Sequence, residues 1–169
     1  MAHPANTGSR LNLREATLKD LDELLFIEEQ AHHYPWSAET LRWCIIQPHI
    51  HCFVLHEQKN IIGFSAYEIV IDEASLLNIA VSPLLQSKGY GATLLKQSLL
   101  QLDEAIEKIF LEVRVSNIAA QKLYQRAGFI EYGKRKNYYP TDTGREDAQL
   151  FSLEMAPFRT AHTSNTNSH

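Results

Sequence analysis

Leu76-Leu77-Asn78-Ile79-Ala80-Val81, followed after a short link by Gln86-Ser87-Lys88-Gly89-Tyr90-Gly91-Ala92, decides how the chain is read. The first run suits a strand. The second carries two glycines and leads into an apolar, helix-forming stretch. A helix start presents unpaired N–H groups and the positive end of the helix dipole. Glycines let the backbone fold into a nest of N–H donors close to a phosphate. Gly89 and Gly91 therefore suit a pyrophosphate site, although a plain strand-to-helix turn would use the same glycines for shape. The spacing is not GxGxxG, and no phosphate-loop lysine-serine pair follows, so nucleotide-binding readings lose ground.

Outward from this stretch the elements alternate. Leu11-Asn12-Leu13-Arg14 reads as a first strand. Thr17-Leu18-Lys19-Asp20 has the spacing of a capping box, and Leu21, Leu24, Leu25 and Glu28 carry a helix to about His32. Ser37 caps a second, short helix that stops before Pro48. Strands are expected at 51–57 and 61–70, joined as a hairpin, and at 75–81. A helix follows at 93–105, then a strand at 108–115. Asn117 caps a helix that ends at Gly128. The last strands are expected at 129–135 and 147–154, separated by a long loop at 137–145. The order β-α-α-β-β-β-α-β-α-β-β predicts an α/β fold, a mixed sheet with helices on both faces.

The chain has 169 residues, enough for one hydrophobic core. Residues 11–158 read as one domain between tails, 1–10 and 159–169, expected to be disordered. A formal net charge of −4 gives no sign of a nucleic-acid groove. No apolar run is long enough for a membrane helix, and the first ten residues lack a secretory core. Cys44 and Cys52 read as buried reduced thiols of a cytoplasmic protein. His51 and His56 point to opposite strand faces, so no metal site is expected.

Several segments, taken together, resemble the GNAT acetyltransferase superfamily. They are the Gln86 loop after Asn78-Ile79-Ala80-Val81, Glu29-Gln30-Ala31-His32, Tyr34-Pro35-Trp36-Ser37, Asp72-Glu73-Ala74, Leu111-Glu112-Val113-Arg114, Ser116-Asn117, Leu123-Tyr124, Gly128-Phe129, Asn137-Tyr138-Tyr139-Pro140 and Gly144-Arg145-Glu146-Asp147-Ala148. Within the superfamily they resemble the bacterial branch that acetylates the N-terminal alanine of a small-subunit ribosomal protein. The resemblance implies a GNAT fold and acetyl-CoA as co-substrate. The partner would be a ribosomal protein N-terminus, and the enzyme monomeric, without direct contact to nucleic acid or membrane. The stretch Ile79-Ala80-Val81 would pair with the pantetheine arm like an added strand, which requires a strand that splays from its neighbour. Ser87, Lys88, Gly89, Tyr90, Gly91 and Ala92 would hold the pyrophosphate, and Asn117 would meet the cofactor near its reacting end. Ser87 stands where the family often has Arg or Lys.

Acetyl transfer to an amine needs a neutral amine, a stabilised carbonyl oxygen and a proton for the leaving thiolate. Neither cysteine sits in a motif that would activate it, so direct attack is expected. By resemblance Glu112 is the base; by pattern alone it would be a solvated strand residue paired with Arg114 on the same face. A normal Glu pKa is about 4.3 against about 8 for an α-amine, so Glu112 must be raised by burial or relay the proton through water. By resemblance Tyr124 is the acid. Ala120, Leu123, Tyr124 and Ala127 form a helical stripe that would equally make Tyr124 a core residue. Tyr34, Trp36, Tyr138 and Tyr139 would line the peptide groove, or in part form core edges. Asp142, Glu146 and Asp147 near Arg145 read most simply as a solvated loop, with Asp147 a candidate to hold the substrate loop. Two rivals remain open: a GNAT enzyme for small amines or lysine, and a non-catalytic acyl-CoA-binding module.

Overall fold

The computed structural model describes residues 10–163. One seven-stranded sheet runs through the molecule in the order β1-β2-β3-β4-β5-β7-β6. Its strands are β1 (Leu11–Glu15), β2 (Ile50–Glu57), β3 (Asn60–Val70), β4 (Glu73–Val81), β5 (Lys108–Arg114), β6 (Ile130–Thr141) and β7 (Gly144–Glu154). Only β4 and β5 pair in parallel; every other pair is antiparallel. The helices are α1 (Leu21–Ala31), α2 (Ala38–Ile46), α3 (Tyr90–Gln101), α4 (Ile118–Ala127) and α5 (Met155–Thr163).

The two sheet faces carry separate cores. Leu24 and Ile27 of α1 and Leu41 of α2 pack with Cys52, Val54, Phe64, Ala66 and Ala80 on one face. Leu95 and Leu99 of α3, Tyr124 of α4 and Phe158 of α5 pack with Leu76, Ile109, Leu111, Val113 and Phe151 on the other. β5 shows why: Ile109, Leu111 and Val113 are buried, while Phe110, Glu112 and Arg114 alternate onto the α1/α2 side.

The caps read from sequence form as expected. Ser37 Oγ accepts the Thr40 N–H at 3.1 Å, Asn117 Oδ1 accepts the Ala120 N–H at 3.1 Å, and Gly128 closes α4 at φ 103°. Asp20 accepts the Thr17 N–H at 2.8 Å and both terminal nitrogens of Arg14 at 2.8 Å. This locks β1 to the 3-10 turn Leu18–Asp20 that opens α1, and the guanidinium holds the Asp20 carboxyl down to about 2.

Three expectations are corrected. Residues 159–163 are not a tail but the end of α5, anchored where Arg159 donates to the carbonyls of Asp103, Glu104 and Ile106 at 2.8–3.1 Å. The tails' other residues, 1–9 and 164–169, lie outside the described residues. The long loop at 137–145 is instead a strand hairpin, since β6 runs to Thr141 and β7 starts at Gly144. Pro140 lies on an edge strand, where its missing N–H costs no ladder bond. Finally, α3 begins at Tyr90 rather than 93 and ends at Gln101, where Leu102 turns extended. The last residues of the glycine loop are thus themselves the first helical turn.

Candidate active site

β4 carries the decisive irregularity. Tyr67 of β3 pairs with Leu76, but its neighbour Ala66 pairs with Asn78, so Leu77 is an extra residue, a bulge. Pairing of β4 with β5 stops at the same place, with Leu76 opposite Leu111. Beyond it the strands part, and the 78–81 segment keeps β3 on one side and an open split on the other. The Ser82 N–H bonds the Ile62 carbonyl at 2.8 Å. By antiparallel alternation, Ala80 and Asn78 then bond β3, and the backbones of Ile79 and Val81 face the split. Gly63 permits this approach: a Cβ there would lie 2.4 Å from the Ala80 carbonyl oxygen. The Val81 carbonyl is already met by Gln86 Nε2 at 3.0 Å. Ala80 is buried with its backbone turned to β3, so the free backbone groups at the split belong to its neighbours Ile79 and Val81.

At the mouth of the split the chain turns through Ser87 at φ 61° and Gly89 at φ 83°, both left-handed. Gly89 is the N-cap of α3 and has no side-chain cap, and its carbonyl accepts the Thr93 N–H at 3.1 Å, the i to i+4 bond that opens the helix. The amides of Tyr90, Gly91 and Ala92 are therefore free of intrahelical partners, as at any helix start. A Cβ on Gly91 would meet Leu123 and Val81 only at 3.8–3.9 Å, so the protein itself does not demand glycine there. Space, dipole and free donors fit a diphosphate, with Lys88 in the same exposed turn. Asn117 Oδ1 is committed to its cap, which leaves its Nδ2 as the group available to a ligand.

Glu112 and Tyr124 stand on opposite faces of the split. Tyr124 is 6% exposed and packs against Phe129 and Phe151 on the α3/α4 side. Its hydroxyl has no hydrogen-bond partner among the described residues, and burial pushes its pKa well above the usual 10. It remains a proton donor throughout the neutral range. Glu112, on the α1/α2 side, is 28% exposed, and Arg135 Nε lies 3.3 Å from its carboxylate. It does not pair with Arg114 across the same face, contrary to the pattern-based expectation. Arg114 instead donates to Glu146 at 3.0 Å and to the Pro140 carbonyl at 2.7 Å, between the rings of Tyr34 at 4.3 Å and Tyr139 at 4.4 Å.

These contacts assemble an aromatic cluster above the split. Glu112 beside the Tyr138 hydroxyl raises that phenol's pKa, and burial, with Glu112 next, pushes Tyr139 up to about 12. Tyr34 donates to Asp142 at 2.9 Å, and His33 lies 3.1 Å from the same carboxylate. The acidic segment is solvated at its tip, with the Asp142 side chain 74% exposed, but it is a strand hairpin tied to its neighbours rather than a loop. Asp142 and Glu146 clasp the α1–α2 loop and Arg114. Asp147 accepts the Asn137 N–H at 2.9 Å, and Arg145 donates to the Asn137 and Tyr138 carbonyls at 2.7 and 2.8 Å. Between Arg135 and Tyr139 the β6 ladder gains extra residues, with Asn137 at φ 51°, which aims Tyr138 and Tyr139. Tyr34, Tyr138 and Tyr139 therefore gather with Glu112. Trp36 does not join them: its ring packs at the edge of the α1/α2 core. Cys44 and Cys52 are buried and unpaired, their pKa values pushed up to about 11 and about 12 by burial.

Sequence reasoning passed over Gly63 and gave Glu28 no role beyond the spacing of the first helix. Gly63 interrupts a strand pattern, a signal of close backbone approach. Glu28 occupies an apolar position of α1, one helical turn after Leu24, and is 1% exposed.

The chain is 39% identical over 138 residues to the [ribosomal protein bS18]-alanine N-acetyltransferase of Escherichia coli (strain K12), covering 81% of this chain and 93% of the relative. The crystal structure of the ribosomal-protein-S18-alanine N-acetyltransferase from Escherichia coli superposes with TM-score 0.80 at 37% identity, over 86% of this chain and 94% of that one. A chimera of spermidine N-acetyltransferase SpeG from Vibrio cholerae and hSSAT gives TM-score 0.78 at 25% identity, over 89% and 99%. The profile of the acetyltransferase (GNAT) family matches residues 16–129, and with its mixed seven-stranded sheet the chain belongs to that family of acyl-transferring enzymes.

Proposed function

We propose that this protein transfers the acetyl group of acetyl-CoA to the N-terminal α-amine, alanine first, of the small-subunit ribosomal protein bS18. The observation that carries the reading is the β4/β5 split, with Tyr124 on the face of α3 and α4 and Glu112 on the face of the aromatic cluster. A cofactor entering over the α3 amides and an acceptor entering beneath Tyr34, Tyr138 and Tyr139 would meet in the gap between them. The likeness to the Escherichia coli enzyme over 93% of its length supports the choice of acceptor.

In this reading the amine nitrogen attacks the thioester carbonyl directly, the C–S bond breaks, and the product is an amide and a free thiol. Glu112 accepts the amine's proton. It is partly open to solvent and engaged by Arg135, which favours relay through a water over direct abstraction. Tyr124 donates a proton to the departing sulfur. A thiolate is ordinarily less basic than a phenolate, near 8.5 against 10. Both would share one dry pocket, where burial raises thiol and phenol pKa values alike. The backbone of Ile79 and Val81 would align the pantetheine arm, and the α3 amides would hold its diphosphate. A ribosomal-protein acceptor fits work in the cytoplasm.

An α-amine near pKa 8 is easier to deprotonate at neutral pH than a lysine near 10.4, by roughly 3 kcal/mol. Turnover of acetyl-CoA on peptides beginning with Ala, Ser and Met, and on an N-terminally blocked peptide with an internal Lys, tests the assignment. Clear preference for the Ala start is expected. Equal rates, or activity on lysine alone, would refute the ribosomal assignment and favour a broader amine acetyltransferase.

A further inference from the structure

Glu28 is a buried carboxylate that takes no part in the chemistry above. Its Oε1 accepts the backbone N–H of Trp36 at 2.9 Å, and its Oε2 accepts Asn78 Nδ2 at 3.0 Å. His32 Nε2 lies 3.1 Å from Asn78 Oδ1 and 3.6 Å from Glu28 Oε2, completing the cluster. Burying a carboxylate is costly unless its oxygens are engaged. The position lies among apolar neighbours, where leucine would fill the core without that cost.

The partners Glu28 has chosen are informative. Asn78 is the first residue after the β4 bulge, on the strand whose free edge faces the split. Trp36 belongs to the α1–α2 loop that also carries Tyr34, the ring stacked on Arg114. One carboxylate thus joins the cofactor strand to the acceptor loop. The strand is independently held by its ladder to β3 from Asn78 to Val81, whereas the loop between Ala31 and Ala38 has no ladder of its own. Loss of the carboxylate therefore loosens the Trp36 end of the loop, leaving its His33–Tyr34 end on the exposed Asp142 and on Arg114, and leaves the strand in place.

We infer that Glu28 is a positioning residue for acetyl transfer, clamping the Trp36 backbone to Asn78 and so fixing the acceptor loop relative to the thioester end of the split. This rests on the function proposed above. Glu28→Ala should lower kcat/KM for an alanine-start peptide at least tenfold, with a raised peptide KM, while the calorimetric Kd for acetyl-CoA stays within threefold. Glu28→Gln keeps an acceptor for Trp36, and a reversed Asn78 amide accepts from its Nε2, so activity should recover to within threefold of wild type. Asn78→Asp sets two carboxylates face to face and should be impaired; adding Glu28→Gln restores a donor–acceptor pair and should recover it. The last comparison holds even if Glu28→Ala fails to fold.

A Glu28→Ala enzyme within threefold of wild type on peptide would overturn the inference. So would a parallel tenfold loss of acetyl-CoA affinity, or a double variant no better than Asn78→Asp. A wild type without turnover on the alanine peptide would instead refute the acceptor assignment. The clamp is then read from Trp36 fluorescence in a Trp43→Phe background. A red shift on adding Glu28→Ala supports the clamp, and unmoved emission overturns it.

Discussion

Replacing Tyr124 by Phe separates chemistry from stability more cleanly than any other single change. The ring is buried and packs against Phe129 and Phe151, and its hydroxyl has no protein partner among the described residues. Its removal strands no donor or acceptor and opens almost no space, because the ring stays. A hydroxyl that bonds no protein group leaves no orphaned partner when an apolar group of the same shape replaces it, so the change is close to neutral. The expected change in stability is within about 1 kcal/mol, or about 2–4 °C in Tm for a chain of this size. A positioned general acid, by contrast, contributes about 10²–10⁴ in rate, which is roughly 3–5 kcal/mol of barrier. The assay is steady-state release of CoA thiol with the alanine-start peptide, beside thermal unfolding of the same preparations. The account expects kcat to fall at least a hundredfold at nearly unchanged Tm and acetyl-CoA affinity. A kcat within threefold of wild type would remove Tyr124 from the mechanism. A rate loss that merely followed a lowered Tm would make it a core tyrosine.

Three further perturbations test other parts of the account. Glu112→Gln should lower kcat about 10²-fold or more and flatten the acid limb of the pH–rate profile; an unchanged limb would assign the proton to another group. Gly63→Ala drives a methyl to 2.4 Å from the Ala80 carbonyl, so β4 must shift by most of an ångström. Overpacking of this kind costs about 1–3 kcal/mol, and acetyl-CoA affinity should fall with it; unaltered affinity would mean that the free edge of β4 does not hold the cofactor. The Arg14 guanidinium holds Asp20 near a pKa of about 2, below the unfolded value of about 4. Because the folded pKa is depressed, the stabilisation is present above about pH 4 and lost as pH falls through about 2. It amounts to about 2 kcal/mol by linkage, on a carboxylate only 10% exposed. Urea unfolding of wild type and Asp20→Asn should differ by that amount at pH 7 and converge near pH 2, and a constant gap would place the effect elsewhere.

The fold was legible because its signals are local. Ser37, Asn117 and Gly128 each announce a helix end through one side chain or one backbone conformation, and the structure uses them so. The 137–145 segment was misread because Asn137, Pro140 and Gly144 are turn residues almost anywhere. Here they serve a bulge on an edge strand, which only the tertiary partners Asp147 and Arg145 reveal. The partner of Arg114 was misassigned for the same reason. Spacing puts Glu112 on its face, but Glu146, brought in by β7 from 32 positions away, wins the bond. Tyr124's burial could be read from a helical stripe, whereas its want of a partner could not. Split, bulge and aromatic clasp are all properties of pairing register, which one sequence does not display.

Isothermal titration of the purified protein with acetyl-CoA tests the claim on which the rest stands, that the free edge of β4 and the amides opening α3 grip this thioester. The account predicts saturable 1:1 binding with Kd below about 1 mM, the affinity that about 4 kcal/mol supplies, weakened by Gly63→Ala and spared by Tyr124→Phe. No uptake at millimolar acetyl-CoA by a folded wild type would contradict it.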